Sequence, residues 1–273
     1  MSFGLSAVEG GLAVKRAQAF TRDGVLFPIR VLPDDALRTY LSAFLALERS
    51  LGDPFKRMAR AHLFFPWAYD LATHPAVVAA VSEILGPEIL VWGTLILSKP
   101  PHSSAYVSWH QDGAYAQFLG GTPALTAWIA LTDSTAENGC LRVVPGSQHS
   151  LLPHQERITR DNLLNRGQTV DAAGMEEGAV NVVLKAGEMS LHEIRLVHGS
   201  NPNRSPHRRI GFVIRFATPA MKAPPIPVLR ACGTGDWGHL KVRNRPVEAS
   251  DEERIAAYTA YVRSVEDPLV AED

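Results

Sequence analysis

The chain has 273 residues, of which 46% are hydrophobic and 20% are charged, and its formal net charge at pH 7 is -1. A chain of this length and composition is typical of an enzyme that buries one large hydrophobic core. The charge is close to neutral and no run of lysine or arginine concentrates it, which excludes the basic surface that binds nucleic acid or an anionic membrane. We therefore predict a small molecule as the partner.

Membrane, secreted and thiolate-metal proteins are also disfavoured. The sequence contains no uninterrupted apolar run of the roughly 18 residues that a transmembrane helix needs, and its amino terminus lacks the basic start and apolar run of a signal peptide. The two cysteines, Cys140 and Cys232, are far apart and form no CxxC pair, so a disulfide framework and a thiolate zinc site are excluded. We expect a cytoplasmic protein.

Helices are predicted first along the chain, and strands follow. Apolar residues recur at intervals of three and four over Asp34–Leu51 and Pro75–Leu85, between proline and glycine residues, which predicts helices. From residue 89 the chain changes to short runs rich in valine, isoleucine, leucine, tryptophan and threonine, which are typical of a β-sandwich or barrel. The predicted strands cover residues 90–99, 124–133, 140–145, 180–185, 188–198 and 209–218.

The connections between these strands carry further predictions. Asn138-Gly139 readily forms a tight hairpin turn, so the strands at 126–133 and 140–145 are predicted to be antiparallel neighbours. Residues 147–178 are polar and form a long insertion, and the proline-rich residues 219–227 must be irregular. With no internal repeat, we predict a single domain over residues 1–273, consisting of a mainly helical layer (1–88), a β core (89–218) and a carboxyl-terminal extension (219–273).

A candidate metal site begins with His110 and Asp112. Residues two apart on an extended strand point to the same face, so an imidazole and a carboxylate can share one metal ion. His198 is a candidate third ligand because it ends an apolar strand and is followed by the loop that starts at Gly199. Two histidines and one carboxylate form the facial triad of non-haem Fe(II), which leaves positions open for an oxo-acid and dioxygen. His192, six residues before His198, is expected deeper on the same face as a supporting residue.

Arg209 is a candidate for binding a carboxylate. It lies eleven residues after His198, at the start of the apolar run that ends at Phe216. A guanidinium there can hold a distal carboxylate through two parallel hydrogen bonds, which lysine cannot reproduce. Arg208 should face the opposite way because side chains alternate along a strand.

Taken together, this spacing resembles the phytanoyl-CoA dioxygenase family of Fe(II)- and 2-oxoglutarate-dependent oxygenases. The segments SWHQDG, TAWIALTDSTAENGCLRVVPGSQH and GEMSLHEIRLVHGSNPNRSPHRRIGF are similar to family segments and occur in the expected order. The resemblance covers about residues 89–216. It implies a double-stranded β-helix, which is a mainly β jelly roll with flanking helices. The iron would lie at the open end of the jelly roll.

The resemblance also implies a reaction. Ser200 and Trp128 would join Arg209 around 2-oxoglutarate, whose oxidative decarboxylation by dioxygen to succinate and carbon dioxide drives hydroxylation of an unactivated C–H bond. Related halogenases replace the carboxylate ligand with a small residue, whereas this sequence keeps Asp112, which favours hydroxylation. Desaturation and ring formation begin with the same hydrogen abstraction and stay open.

Two other functions remain open on the sequence alone. One is a cupin-like isomerase or sugar-binding jelly roll that uses a metal without 2-oxoglutarate. Arg209, as a candidate for binding the 2-oxoglutarate carboxylate, favours an oxygenase over this alternative. The other is a non-catalytic binding protein. The substrate is expected to be a free small molecule covered by the insertion and by residues 232–246. Candidate pocket residues, chosen by position only, are Arg57, His62, Tyr115, Gln117 and Phe118.

Overall fold

The computed structural model of the protein describes residues 4–51, 57–116, 119–222, 224, 226–246 and 249–266. The helices are α1 Gly4–Asp23, α2 Asp34–Leu51, α3 Pro66–Ala72, α4 Pro75–Leu85 and α5 Asp251–Glu266. The strands are β1 Val25–Arg30, β2 Arg57–Ala59, β3 Ile89–Lys99, β4 Val107–His110, β5 Ala124–Ala130, β6 Leu141–Val143, β7 His154–Glu156, β8 Gln168–Val170, β9 Val180–Val182, β10 Glu188–Glu193, β11 His198–Ser200, β12 Arg209–Ala217, β13 Val228–Cys232 and β14 Val242–Arg243. Within the described residues, none of the helices combines the length and apolar character that crossing a membrane requires.

Two sheets build the β core. The larger has the strand order β1-β10-β5-β12-β3-β13-β14, with β2 also paired to β3, and the smaller has the order β4-β11-β6-β9. Apolar side chains from both sheets pack between them, including Leu95 and Val213 from the larger sheet and Val107 and Val143 from the smaller one. This arrangement of two facing sheets is the predicted double-stranded β-helix.

The helices cover the outer face of the larger sheet. Phe44 of α2 and Val77 of α4 share one buried core with Ile129 and Phe212, which project outward from β5 and β12. Proline at the first helical position begins both α3 and α4, where its missing N–H costs nothing. The predicted bounds of α2 and α4 are confirmed.

Several elements were not predicted. β1 and β2 lie within the segment predicted to be mainly helical, and both join the larger sheet. β1 ends the strand order of that sheet, where a proline such as Pro28 can be accommodated because one side of an edge strand needs no ladder hydrogen bonds. The carboxyl-terminal extension contributes β13, β14 and α5.

The predicted hairpin at Asn138-Gly139 is wrong. β5 pairs with β10 and β12 in the larger sheet, whereas β6 pairs with β11 and β9 in the smaller one. The Asn138 side chain instead stabilises a crossing between sheets, since its oxygen accepts from the Thr135 N–H at 2.8 Å and its amide donates to the Asp133 carbonyl at 2.8 Å. Gly139 has a φ of +75°, and a Cβ there would lie 2.2 Å from the Asn201 carbonyl oxygen. The glycine is therefore needed for a close approach of two backbone segments.

The predicted strand at 188–198 is two strands in different sheets. β10 belongs to the larger sheet and β11 to the smaller one. A turn separates them, in which the Leu196 N–H donates to the Glu193 carbonyl at 2.9 Å and the Arg195 N–H donates to the Glu193 carboxylate at 2.5 Å. His192 and His198 therefore do not share a strand face.

Arg208 faces the helical layer, as predicted. Its Nη1 and Nη2 donate to the Glu48 carboxylate on α2 at 2.7 and 2.5 Å, and its Nε donates to Ser98 Oγ at 2.7 Å. Glu48 is buried, so this ion pair fixes α2 against β12.

Replacing Glu48 with alanine should lower the free energy of unfolding by about 2 to 3 kcal/mol, because it removes one partner of a largely buried, two-point ion pair. Denaturant unfolding would measure the change. Glu83→Ala is the matched control, since the Arg16–Glu83 pair is longer, 3.4 Å, and more exposed, and its loss should cost less than about 1 kcal/mol. Equal effects of the two substitutions would contradict this account of α2 docking.

Candidate metal and co-substrate site

His110 and His198 are brought together by strand pairing. They are directly opposite each other on β4 and β11, with ring centroids 4.0 Å apart. Each ring hydrogen-bonds a backbone carbonyl of its own strand region through Nδ1, His110 to Ser108 at 2.9 Å and His198 to Leu196 at 2.9 Å. These bonds fix the ring orientations and leave Nε2 of each ring as the ligand atom.

Asp112 lies just after β4, at the start of a 3-10 turn, and not on the strand as predicted. Its Oδ2 accepts from Thr126 Oγ1 at 2.8 Å, and its Oδ1 accepts from Arg215 Nη2 at 2.9 Å. Oδ1 also lies 3.9 Å from His110 Nε2. The larger sheet therefore holds the carboxylate in place beside the imidazoles of the smaller sheet.

Gln111, between the first two site residues, anchors this turn from the opposite side. Its side-chain amide donates to the carbonyls of Ser150, at 2.8 Å, and Arg195. Its Oε1 accepts from the Leu152 N–H at 2.8 Å. These bonds tie the turn to the insertion and explain why the residues on either side of Gln111 both point inward.

The three residues form a group that fits a divalent cation. One ligand atom from each of His110, Asp112 and His198 lies within 4.8 Å of the others, and all three residues are buried. Burial lowers the pKa of His110 to about 3, helped by the neighbouring His198, and burial also lowers the pKa of His198. Burial would raise the pKa of Asp112, but the positive charge of Arg215 and its hydrogen bond to the carboxylate hold it well below its ordinary value. Two neutral imidazoles and an ionised carboxylate are the protonation states that metal binding requires.

Arg209 lies in the same cavity and has no carboxylate partner among the described residues. It is 1% exposed, and its Nη1 donates to the Gly139 carbonyl at 2.6 Å, while its Nε and Nη2 are buried without a hydrogen-bond partner in the described part of the chain. Burial lowers its pKa to about 10, so it stays a cation at neutral pH. A buried cation with unused donors is costly unless an anion binds to it, so the site fits the distal carboxylate of an oxo-acid.

Trp128 forms the wall beside this guanidinium, whose carbon lies 5.2 Å from the ring centre. The indole lies across β12 at Gly211, where a Cβ would be only 2.0 Å from Trp128 Cζ2. Gly211 therefore makes room for the indole, and the indole in turn bounds the cavity.

Lys99 is a site residue that sequence reasoning missed. It is opposite Arg209 on β3, it is fully buried, and its Nζ donates to Ser200 Oγ at 2.6 Å and to the Asn201 carbonyl. Burial, followed by the charge of Arg209, lowers its pKa to about 6. A lysine at the end of an otherwise apolar strand was the available signal, but only the strand pairing shows that it lies beside Arg209 and Ser200.

His192 also lines the cavity, although it is not part of the metal group. It is 1% exposed, its ring centroid is 4.6 Å from that of His198, and neither ring nitrogen has a hydrogen-bond partner among the described residues. Its place beside His198 comes from the packing of the two sheets.

All six predicted site residues line one cavity: His110, Asp112, Trp128, His198, Ser200 and Arg209. Leu164 of the insertion also lines this cavity, and Trp237 of the carboxyl-terminal extension packs with Trp92 nearby on the inner face of the larger sheet. Of the two segments expected to cover the site, the insertion contributes Leu164 to the cavity lining, and residues 232–246 contribute none.

Of the pocket residues predicted by position only, some do not lie near the cavity. His62 lies on the outer face of the larger sheet, where its Nδ1 is 2.7 Å from Thr94 Oγ1, and Arg57 does not line the cavity either. Tyr115 is close to the metal group, with its ring centroid 6.5 Å from that of His110. Gln117 and Phe118 lie outside the described residues.

Comparison with known proteins decides the family. The family model for phytanoyl-CoA dioxygenase (PhyH) matches residues 20–211. The chain belongs to the phytanoyl-CoA dioxygenase family. It is 30% identical over 217 residues to a probable alpha-ketoglutarate-dependent hypophosphite dioxygenase of Stutzerimonas stutzeri, covering 78% of this chain and 69% of that protein. It is 25% identical over 233 residues to an ectoine dioxygenase of Bordetella parapertussis, covering 76% of each.

Solved structures agree with this assignment. The apo structure of a non-haem monooxygenase, ThoJ, matches with a TM-score of 0.72 and 31% identity over 90% of this chain and 94% of that one. As a phytanoyl-CoA dioxygenase family member with a buried His-Asp-His group, the protein is an iron- and 2-oxoglutarate-dependent dioxygenase, and its oxidant is dioxygen.

Asp112→Ala and His198→Ala should each reduce iron affinity by more than about 100-fold, because each removes one of three ligand atoms, and changes in supporting residues alone commonly cost 10- to 100-fold. Iron per chain after anaerobic loading and desalting would measure this. His149→Ala changes an exposed histidine outside the cavity and should keep the wild-type iron content. Normal iron content in the first two variants would show that the ligands are elsewhere.

Proposed function

We propose that this protein hydroxylates an aliphatic C–H bond of a free small organic molecule, coupled to decarboxylation of 2-oxoglutarate to succinate and carbon dioxide. One observation carries the proposal. Arg209 is a fully buried cation without a described carboxylate partner, and it lies in the same cavity as a three-residue metal group. A cupin-like isomerase or a silent binding protein has no need for such a cation, whereas a dianionic co-substrate that also binds the metal does.

Each site residue then has a role. His110, Asp112 and His198 would hold the iron. Arg209 would hold the distal carboxylate of 2-oxoglutarate, with Ser200 beside it and Lys99 behind Ser200. Trp128 would form the wall of the cavity next to the guanidinium. When bound, iron and 2-oxoglutarate together supply oxidation by dioxygen, which is chemistry that side chains alone cannot provide.

The chain contributes positioning and exclusion of water. Thr126 and Arg215 each bind one oxygen of Asp112, so the carboxylate cannot rotate away from the metal position. Apolar side chains from different parts of the chain, among them Leu95, Leu164 and Val213, also line the cavity and would help to exclude water. Because Asp112 fills the ligand position that a halide would need, we favour hydroxylation over halogenation.

The proposal is tested by succinate formation from 2-oxoglutarate with Fe(II) and air, while a library of small acids and metabolites is screened for compounds that stimulate it. We expect a low basal release of succinate and a strong increase with the true substrate, whose product gains one oxygen atom by mass. Metal-dependent isomerisation without consumption of 2-oxoglutarate would favour the cupin-like alternative, and binding without turnover would favour a non-catalytic protein.

Arg209→Ala should raise the KM for 2-oxoglutarate by about thirtyfold or more, because truncating one partner of a buried charge pair costs about 2 to 5 kcal/mol. Arg208→Ala is the matched control on the next residue. It faces Glu48 and should leave the KM nearly unchanged at a temperature where the variant stays folded. A raised KM in Arg208→Ala together with an unchanged KM in Arg209→Ala would show that the register assigned to β12 is wrong by one residue.

Binding of 2-oxoglutarate should take up a proton at Lys99. The pKa of Lys99 is about 6 in the free protein, and a bound carboxylate raises it, so affinity is highest at low pH and falls as the pH rises above about 6. Calorimetry of 2-oxoglutarate binding at pH 7.5 in two buffers with different ionisation enthalpies would measure the proton uptake. Lys99→Met should abolish it. An uptake that persists in Lys99→Met would assign the proton to another group.

A further inference from the structure

Arg215 occupies a distinct position in the cavity. It lies on the inner face of β12, six residues and therefore three side-chain alternations after Arg209, opposite Thr126 of β5. Its side chain is 19% exposed, whereas Arg209 is 1% exposed. Arg209 thus lies at the closed end of the cavity, and Arg215 lies on the side nearer to solvent.

The Arg215 guanidinium is only partly used. Its Nη2 donates to Asp112 Oδ1 at 2.9 Å, its Nε is buried without a partner, and it makes no other hydrogen bond within the described part of the chain. The guanidinium carbon lies 5.4 Å from the ring centre of Trp92, so the group is held against an aromatic face. A guanidinium has five N–H donors, and most of those on Arg215 remain available.

A second unused donor lies near the metal group. The Tyr115 hydroxyl is buried without a partner among the described residues, and its ring lies next to that of His110. Burial, helped by the charge of Asp112, raises the pKa of Tyr115, so the phenol keeps its proton.

The charges of the loaded site leave Arg215 without a full partner. This charge balance rests on the proposed function. The distal carboxylate of 2-oxoglutarate would meet Arg209, and the two charges of Fe(II) would be matched by Asp112 and the other carboxylate. Asp112 would then be shared between the iron and Arg215, so the positive charge of Arg215 is only partly neutralised, and a partly buried charge favours binding of an opposite one.

We propose that Arg215 is the substrate anchor, and that the substrate is a small organic acid whose carboxylate binds this guanidinium beside the iron. Tyr115, whose ring lies 6.5 Å from that of His110, supplies a second unpaired donor near the metal group. Arg215 then selects acids over their neutral derivatives and fixes which carbon faces the metal.

Matched acids and amides test this proposal. The enzyme, loaded anaerobically with Fe(II) and saturating 2-oxoglutarate, is titrated calorimetrically with hexanoate, hexanamide, benzoate and benzamide. Saturating 2-oxoglutarate keeps these probes from the Arg209 end of the cavity. We expect each acid to bind at least about tenfold more tightly than its amide, which is a modest value because Arg215 is partly exposed. Succinate release should be stimulated by acids more than by amides.

Variants separate the anchor from other roles. Arg215→Met should abolish the preference for acids, Arg215→Lys should keep part of it because it keeps the charge, and Arg38→Met, on the exposed face of α2, should change nothing. Equal binding of acids and amides by the wild-type enzyme, or no binding of either, overturns the proposal. It is also overturned if Arg215→Met chiefly lowers iron content, because Arg215 would then only hold Asp112, or if it chiefly raises the KM for 2-oxoglutarate. Absence of 2-oxoglutarate binding in the wild type would instead overturn the proposed function itself.

Discussion

The strict alternation of side chains along β12 is the constraint on which the rest of the structure depends. Outward residues such as Phe212 enter the core beneath the helices, and inward residues face the metal cavity. Two consecutive arginines therefore have opposite surroundings: Arg208 pairs with Glu48 under α2, and Arg209 enters the cavity. A slip of one residue would bury the wrong arginine on each side and turn Phe212 inward, so the packing of the helical layer fixes the position of Arg209 in the cavity.

The metal group depends in addition on the contact between the two sheets. The smaller sheet supplies His110 and His198 as a cross-strand pair, while the larger sheet supplies Thr126 and Arg215, which orient Asp112. Neither sheet holds all of these groups. The same hydrogen bonds that orient the carboxylate therefore also hold the sheets together at the cavity, and metal binding and folding of the β core are expected to stabilise each other.

The sequence predicted the parts of the fold and of the site that depend on the pattern of neighbouring residues. Periodicity indicated α2 and α4 with their observed bounds, and alternation along one strand separated Arg208 from Arg209. Contacts between distant segments were not predictable in this way. Asn138-Gly139 favours a turn, but its local chemistry does not say whether the next strand returns to the same sheet or crosses to the other. The place of Lys99 beside Arg209 likewise depends on the pairing of β3 with β12, about 110 residues apart, which neither periodicity nor propensity records.

Gly211 and Trp128 illustrate how far this interdependence extends. The indole occupies the space that a side chain at position 211 would need, so the two residues share one volume on adjacent strands. A methyl group at position 211 would displace the indole from its place beside Arg209, whereas a smaller residue at position 128 would leave a void beside that arginine. A substitution at one of these positions therefore requires a compensating substitution at the other. Across related sequences the identities at these two positions are expected to vary together, because the pair shapes one wall of the cavity.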